Sequence, residues 1–377
     1  MAISDRARRL ASEGRDVISF GAGEPDFPTP QWIVDAAVAA ARDPRNHKYT
    51  ANAGLPELRQ AIARYTADWS GPDIEPNQVL VTNGGKQAVF QTIAALVDDG
   101  QEAIIPAPYW VTYPEAVRLA GGRPVPVLAG AGSGYRVTVH QLDAARSPNT
   151  KLLIFVSPSN PTGAVYSPEE TAAIGRWAAQ HGIWVLTDEI YQHLVYGDAT
   201  FSSITQVDGL RWVIVNGVAK SYAMTGWRVG WMVGPAEVVR AAARLQSHLT
   251  SNVSNVSQRA ALAAITGPMD DVQEMLAAFD ARRIIMHQML DAIPGVDAVE
   301  PMGAFYCFPD VSGLIGTTIA GRPIASDMDL AQVLLEESGV AVVPGEAFGA
   351  PGHLRLSYAL SERDLERGLD KVQDLLR

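Results

Sequence analysis

Short unbroken apolar runs alternate along this chain with longer stretches whose apolar residues recur every third or fourth position. The first kind reads as strands buried on both faces, the second as helices packed against them. "QVLVTNGG" predicts a strand ahead of a helix over about Lys86–Leu96, and "EAIIPAP" a strand ahead of one over about Val111–Ala120. "KLLIFVSPSNPTG" leads into "SPEETAAIGRWAAQHG", where Ser167 fits an N-cap and Gly182 a C-terminal stop. "IWVLTDEIY" and "RWVIVNGVAK" follow as two further strands. A long helical stretch over about Asp271–Ala292 then leads into a second, smaller unit containing "GAFYCFPD", "GVAVVPGEAFG" and "HLRLSYAL". This order predicts an α/β chain built on a mostly parallel sheet. No internal repeat or low-complexity tract interrupts it, and "LAGAGSGYRV" reads as a Gly-rich turn.

Sheets of this kind bind ligands at the carboxyl ends of their strands. That is where the polar residues collect: Asn83–Lys86, Ser157–Asn160, Asp188–Tyr191 and Lys220. At 377 residues the chain exceeds one ordinary core, so two domains are expected. A net charge of −11 argues against nucleic acid and anionic membrane as partners. A single cysteine, Cys307, excludes an internal disulfide and a thiolate metal cluster. The N-terminal "MAISDRARRLASEGRD" has no apolar core for a signal peptide, and no stretch approaches the roughly 18 apolar residues of a membrane span. The expectation is a soluble cytoplasmic protein without a metal site.

Two motifs invite a nucleotide reading and fail it. "GAGEPDFPTP" starts like a dinucleotide fingerprint, but Asp26 stands where the third glycine belongs and three prolines would break the required helix. "TNGGKQ" lacks the first glycine, the spacing and the trailing Ser/Thr of a phosphate loop. The seven histidines show no metal-ligand spacing.

What remains is a set of residues at strand ends, each with an ordinary reading. Lys220, leaving a buried run, could snorkel to the surface or become a nucleophilic amine. Arg228 could form a surface ion pair or anchor a phosphate. Asp188 could cap a strand or hold a proton on a ring nitrogen, and Asn160, before a proline, could be only a turn residue. Tyr191 could donate to a phenolic oxygen, and Trp110 could pack in the core or stack on an aromatic ring. Taken together, they are the parts pyridoxal phosphate chemistry needs: a lysine for a Schiff base, a carboxylate for the pyridinium and a phosphate anchor.

"SPSNPTGAVYSPEE", "LTDEIYQHLVY", "NGVAKSYAMTGWRVG" and "LRLSYAL" resemble the signature segments of the class I pyridoxal-phosphate aminotransferases, most closely the bacterial, actinobacterial aspartate aminotransferases. The resemblance runs from about residue 12 to the C-terminus. It implies the aspartate aminotransferase-like fold: a seven-stranded sheet in a large domain, residues 35–279, and a smaller α+β domain from both chain ends, 1–34 and 280–377. It implies a homodimer with shared active sites and pyridoxal 5′-phosphate as cofactor.

By the same resemblance Lys220 carries the cofactor and shuttles the proton, and Asp188 keeps the ring nitrogen protonated. Asn160 and Tyr191 bond the ring oxygen, and Trp110 stacks on the ring. Arg228 and the backbone of Gly84, Gly85 and Lys86 cradle the phosphate, with Tyr49 supplied by the partner subunit. Arg355 grips the substrate α-carboxylate, over which the strand of Gly23 closes. The implied reaction moves an amino group from an L-amino acid, aspartate first, to 2-oxoglutarate. The alternatives are prephenate or aromatic acceptors, or a lyase on the same fold. Members of the family carry an arm upstream of the point where this sequence enters their pattern. Either the start lies further upstream, or the site has an open mouth in which Lys86 is the main cation for a distal carboxylate.

Overall fold

The computed structural model describes residues 2–377. Seven strands form its main sheet: β1 (Val79–Thr82), β2 (Glu102–Ala107), β3 (Arg123–Leu128), β4 (Thr150–Val156), β5 (Trp184–Asp188), β6 (Arg211–Gly217) and β7 (Gly230–Val233). Their spatial order is β1-β7-β6-β5-β4-β2-β3. β7 runs antiparallel to both its neighbours, and the pairs among β2 to β6 are parallel. This is the mostly parallel seven-stranded α/β sheet expected.

The strands other than β3 are mostly apolar because both of their faces are covered, whereas the edge strand β3 is largely exposed. Val79 and Val81 of β1 pack with the helices Gln31–Arg42 and Asn255–Thr266, while Leu80 between them packs with the helix Gly85–Leu96. Two strands lie outside the sequence expectation. β3, "RPVPVL", contains two prolines, which suit a strand with only one neighbour because they cannot donate to a second. β7 begins at Gly230, where an added Cβ would stand 2.4 Å from the Gly85 amide nitrogen, so the strand passes beneath that loop only as glycine.

The helices follow local signals. Pro168–Gln180 opens with a capping box in which Ser167 accepts from the Glu170 amide and Glu170 accepts from that of Ser167. Gly182 follows its end with a φ of +64°. The strand expected across "IWVLTDEIY" stops at Asp188, and the chain turns there toward the cleft.

The two chain ends meet. Ile18–Ser19 pairs in parallel with Val340–Ala341, beside a three-stranded sheet of Val343–Pro344, Leu354–Ser357 and Tyr306–Cys307. Ile18 and Phe20 share one core cluster with Phe279, Leu330, Leu356 and Leu369. Among the described residues, no helix is long and apolar enough to cross a membrane.

Candidate active site

Lys220 lies three residues past the end of β6, in the turn that leads to β7. Its Nζ donates to the backbone carbonyl of Gly23 and lies 5.7 Å from the centroid of the Phe305 ring. The side chain is partly open to the cleft, yet protein surrounds the amine closely. Burial pushes its pKa down to about 8, the cations Arg355 and Arg228 push the same way, and Glu24 and Asp188 oppose them. An amine so placed is partly neutral, and therefore nucleophilic, near neutral pH.

Asp188 closes β5 and is 5% exposed. Tyr113 donates to its Oδ2 at 2.8 Å and the Ile190 amide to its Oδ1 at 3.2 Å. Burial pushes the carboxyl up to about 6, against the pull of these bonds and of Lys220. The neighbouring Glu189 points the other way, accepting from the hydroxyls of Ser203, Ser70 and Thr187, and burial lifts it to about 7.

A second corner is cationic. Arg228 sits in the left-handed region, φ +56°, and donates to the carbonyls of Thr225 at 2.9 Å and Asn83 at 3.2 Å. Both bonds go to backbone, so its charge is unpaired among the described residues. Its guanidinium lies against Gly84, where an added Cβ would come within 2.5 Å of Nη2. The Gly84 amide is used on Thr82, at 2.8 Å, but those of Gly85 and Lys86 open the helix Gly85–Leu96 and have no intrahelical acceptor. A guanidinium beside the positive end of a helix is unfavourable unless an anion joins them. The corner fits a phosphate.

A third corner surrounds Arg355, 7% exposed on the strand Leu354–Ser357. Its Nη1 donates to Asn160 Oδ1 and its Nη2 to the Gly21 carbonyl, each at 3.0 Å. Its Nε is buried without an acceptor among the described residues. A bound carboxylate would satisfy such a group. Beside it the hydroxyls of Tyr191 and Tyr306 lie 3.1 Å apart, both pushed up by burial. Lys86 is exposed, its Nζ 5.2 Å from the Trp110 ring centroid. Tyr49 stands on the surface, 91% exposed, in a loop tied down by Asn255 through Thr50 and the Lys48 carbonyl.

The sequence matches the family model "Aminotransferase class I and II" over residues 15–372. This chain belongs to that family. It is 58% identical to an aspartate aminotransferase of Streptomyces avermitilis, with all of this chain and 93% of the relative aligned. An aspartate/prephenate aminotransferase of Cereibacter sphaeroides is 46% identical over 99% of this chain and 94% of its own. Among solved structures, the aspartate aminotransferase of Rhizobium meliloti superposes with a TM-score of 0.95 at 40% identity, covering 100% of this chain and 95% of that one.

The aminotransferase thus brings Lys220, Gly23, Asp188, Arg228, Gly84, Gly85, Asn160, Tyr191 and Arg355 into one connected region, with Lys86 and Trp110 at its margin. Tyr49 makes none of these contacts within its own chain. Two residues central to the contacts, Tyr113 and Tyr306, carry no signal in the sequence. Tyr113 follows Thr112 at the start of a short helix and Tyr306 stands beside Phe305, and each meets its partner 75 or more positions away in sequence.

Proposed function

We propose that this aminotransferase is a cytoplasmic, homodimeric enzyme that uses pyridoxal 5′-phosphate to transfer the amino group of aspartate to 2-oxoglutarate. The reading rests on Lys220, an amine of lowered pKa beside a carboxylate and between two unsatisfied cationic corners. When bound, pyridoxal phosphate supplies an aldehyde for an amine and a ring that accepts the electron pair released at the substrate Cα.

Each residue then has a task set by its chemistry. Lys220 attaches the cofactor and, once displaced by substrate, takes and returns the proton at Cα. Asp188 offers its carboxylate to the ring N–H, while Tyr191 and Asn160 bond the ring oxygen and Trp110 covers the ring face. Arg228 and the amides of Gly85 and Lys86 hold the phosphate over Gly84, which leaves them room. Arg355 binds the α-carboxylate as a two-pronged donor under the segment that carries Gly23.

Lys86 is assigned the distal carboxylate of a dicarboxylic substrate. The names of the Streptomyces and Cereibacter relatives support aspartate, and the latter keeps prephenate as a second acceptor. Tyr49, exposed on a fixed loop, is the residue a partner subunit would receive at its phosphate. The proposed domains are 35–279, and 1–34 with 280–377; the pairing of Ile18–Ser19 with Val340–Ala341 supports joining the two ends.

The test is a product assay. Protein saturated with pyridoxal phosphate should convert aspartate and 2-oxoglutarate to oxaloacetate and glutamate, whereas ammonia or pyruvate as product would make it a lyase. Losing the Lys86 cation should cost about 1–3 kcal/mol, so Lys86→Ala should lower kcat/KM for aspartate roughly 5- to 150-fold and leave alanine nearly unchanged. Equal losses on both would remove Lys86 from the distal site.

A further inference from the structure

Tyr306, on the short strand Tyr306–Cys307, is fully buried and touches three residues of the site at once. Its ring faces the guanidinium of Arg355, 4.5 Å from centroid to Cζ, and Phe348 faces the same guanidinium at 4.9 Å. Its hydroxyl lies 3.1 Å from that of Tyr191, and an added Cβ on Gly23 would stand 3.5 Å from it. Among the described residues neither phenol has another side-chain partner, so the two hydroxyls share one hydrogen bond and one proton is left over.

We infer that Tyr306 is a positioning residue with two separable tasks: its ring fixes Arg355 for the carboxylate, and its hydroxyl donates to Tyr191 so that the Tyr191 proton points into the site. The inference rests on the function proposed above and extends it to a residue that packs against the carboxylate-binding guanidinium without itself being assigned to cofactor or substrate.

The ring's task follows from the geometry of Arg355. The guanidinium has two backbone and side-chain acceptors, Asn160 and Gly21, both at its Nη end. Two aromatic faces hold the plane of the cation and shield it from water, which strengthens what it offers to an anion. A leucine at 306 fills part of the volume and provides no π face.

The hydroxyl's task follows from charge. Arg355, 4.5 Å from the Tyr306 ring centroid, and the bond to Tyr191 both oppose the upward push of burial on Tyr306. Tyr306 and Asp188 instead add to that push on Tyr191, so Tyr306 is the better donor. Burial keeps both phenols neutral. With Tyr306 donating, Tyr191 accepts on its oxygen and its own O–H is free to face the ring oxygen of a cofactor. Without the Tyr306 hydroxyl, no side-chain hydrogen bond among the described residues selects that rotamer.

The two tasks predict different failures. Succinate, which cannot react, reports the carboxylate site by calorimetry on the cofactor-loaded enzyme. Tyr306→Phe keeps the ring, so its succinate Kd should stay within about twofold of wild type, while Tyr306→Leu and Phe348→Leu should weaken it about tenfold or more. Tyr306→Phe should still lower kcat about 5- to 20-fold, and that loss should vanish in a Tyr191→Phe background, because the hydroxyl acts only through Tyr191. Thermal unfolding of Tyr306→Phe close to wild type separates these effects from misfolding. The inference is overturned if Tyr306→Phe weakens succinate as much as Tyr306→Leu, or if its kcat loss is the same with and without Tyr191. If the wild type neither binds succinate nor transaminates, the proposed function itself fails; if it does both, only the role of Tyr306 is at stake.

Discussion

The hydroxyl of Tyr113 donates a 2.8 Å hydrogen bond to Oδ2 of Asp188, across 75 residues of sequence. Tyr113 is 2% exposed, and its ring meets Trp110 edge to face at 5.3 Å. The bond therefore ties the carboxylate proposed for the ring nitrogen to the indole proposed for the ring face. A hydrogen bond to a charged group contributes about 1.5–3 kcal/mol. Tyr113→Phe keeps the ring contact and removes only that bond. Cofactor affinity, measured by equilibrium dialysis, should fall roughly 10- to 100-fold, with kcat reduced on saturation. Unchanged affinity and kcat would show that the Ile190 amide alone positions Asp188.

Gly84 gives a steric test of the phosphate corner. Its φ is +82°, and the Cβ of an alanine would meet Arg228 Nη2 at 2.5 Å and Cζ at 2.9 Å. Gly84→Ala should displace the guanidinium and strain the turn into the helix Gly85–Leu96, at a cost on the order of 1–3 kcal/mol. Pyridoxal phosphate should bind at least tenfold more weakly, while pyridoxal without its phosphate should bind nearly as before. A similar loss for both would place the phosphate away from this corner.

The contrast between what the sequence reveals and what it conceals runs along contact distance. The helix Pro168–Gln180 is legible because Ser167, Pro168 and Glu170 specify its start within four residues. The strand ends are legible because apolar runs stop where polar residues begin, as at Asp188 and beyond β6 at Lys220. β3 is hidden because its prolines speak against a strand unless its edge position is known. β7 is hidden because it lies directly after Arg228, in a stretch that reads as a binding turn. Tyr113 and Tyr306 are hidden for a deeper reason: their partners come from other elements, and no local period marks an aromatic residue that also donates a hydrogen bond.

Glu189 predicts a pH dependence unrelated to catalysis. It is 1% exposed, its carboxyl accepts from the hydroxyls of Ser203, Ser70 and Thr187, and it is raised from an ordinary 4.5 to about 7, with Asp188 adding to the effect of burial. The folded state therefore holds a proton that the unfolded state releases between these values. Its contribution to stability is complete below about pH 4.5 and is lost as pH rises to about 7. Such a shift is worth on the order of 3 kcal/mol. Glu189→Gln has no proton to lose, and its amide suits hydroxyls that can turn to accept. Denaturant midpoints of the cofactor-free proteins at pH 5 and pH 8 should show the variant gaining on wild type as pH rises. A constant difference would mean that Glu189 does not carry that proton.

Lys220 is the proposed attachment point of the cofactor, and the roles of the other site residues follow from it. Lys86, the other lysine proposed for the site, is exposed beside Trp110, whereas Lys220 has the amine of lowered pKa. Reducing the pyridoxal-phosphate-loaded enzyme with borohydride fixes the cofactor wherever it is attached, and peptide mass spectrometry locates it. The label should sit on the peptide "SYAMTGWR" joined to its preceding Lys220, and Lys220→Ala should remove it. A label on Lys86, or a label that survives in Lys220→Ala, would contradict the account.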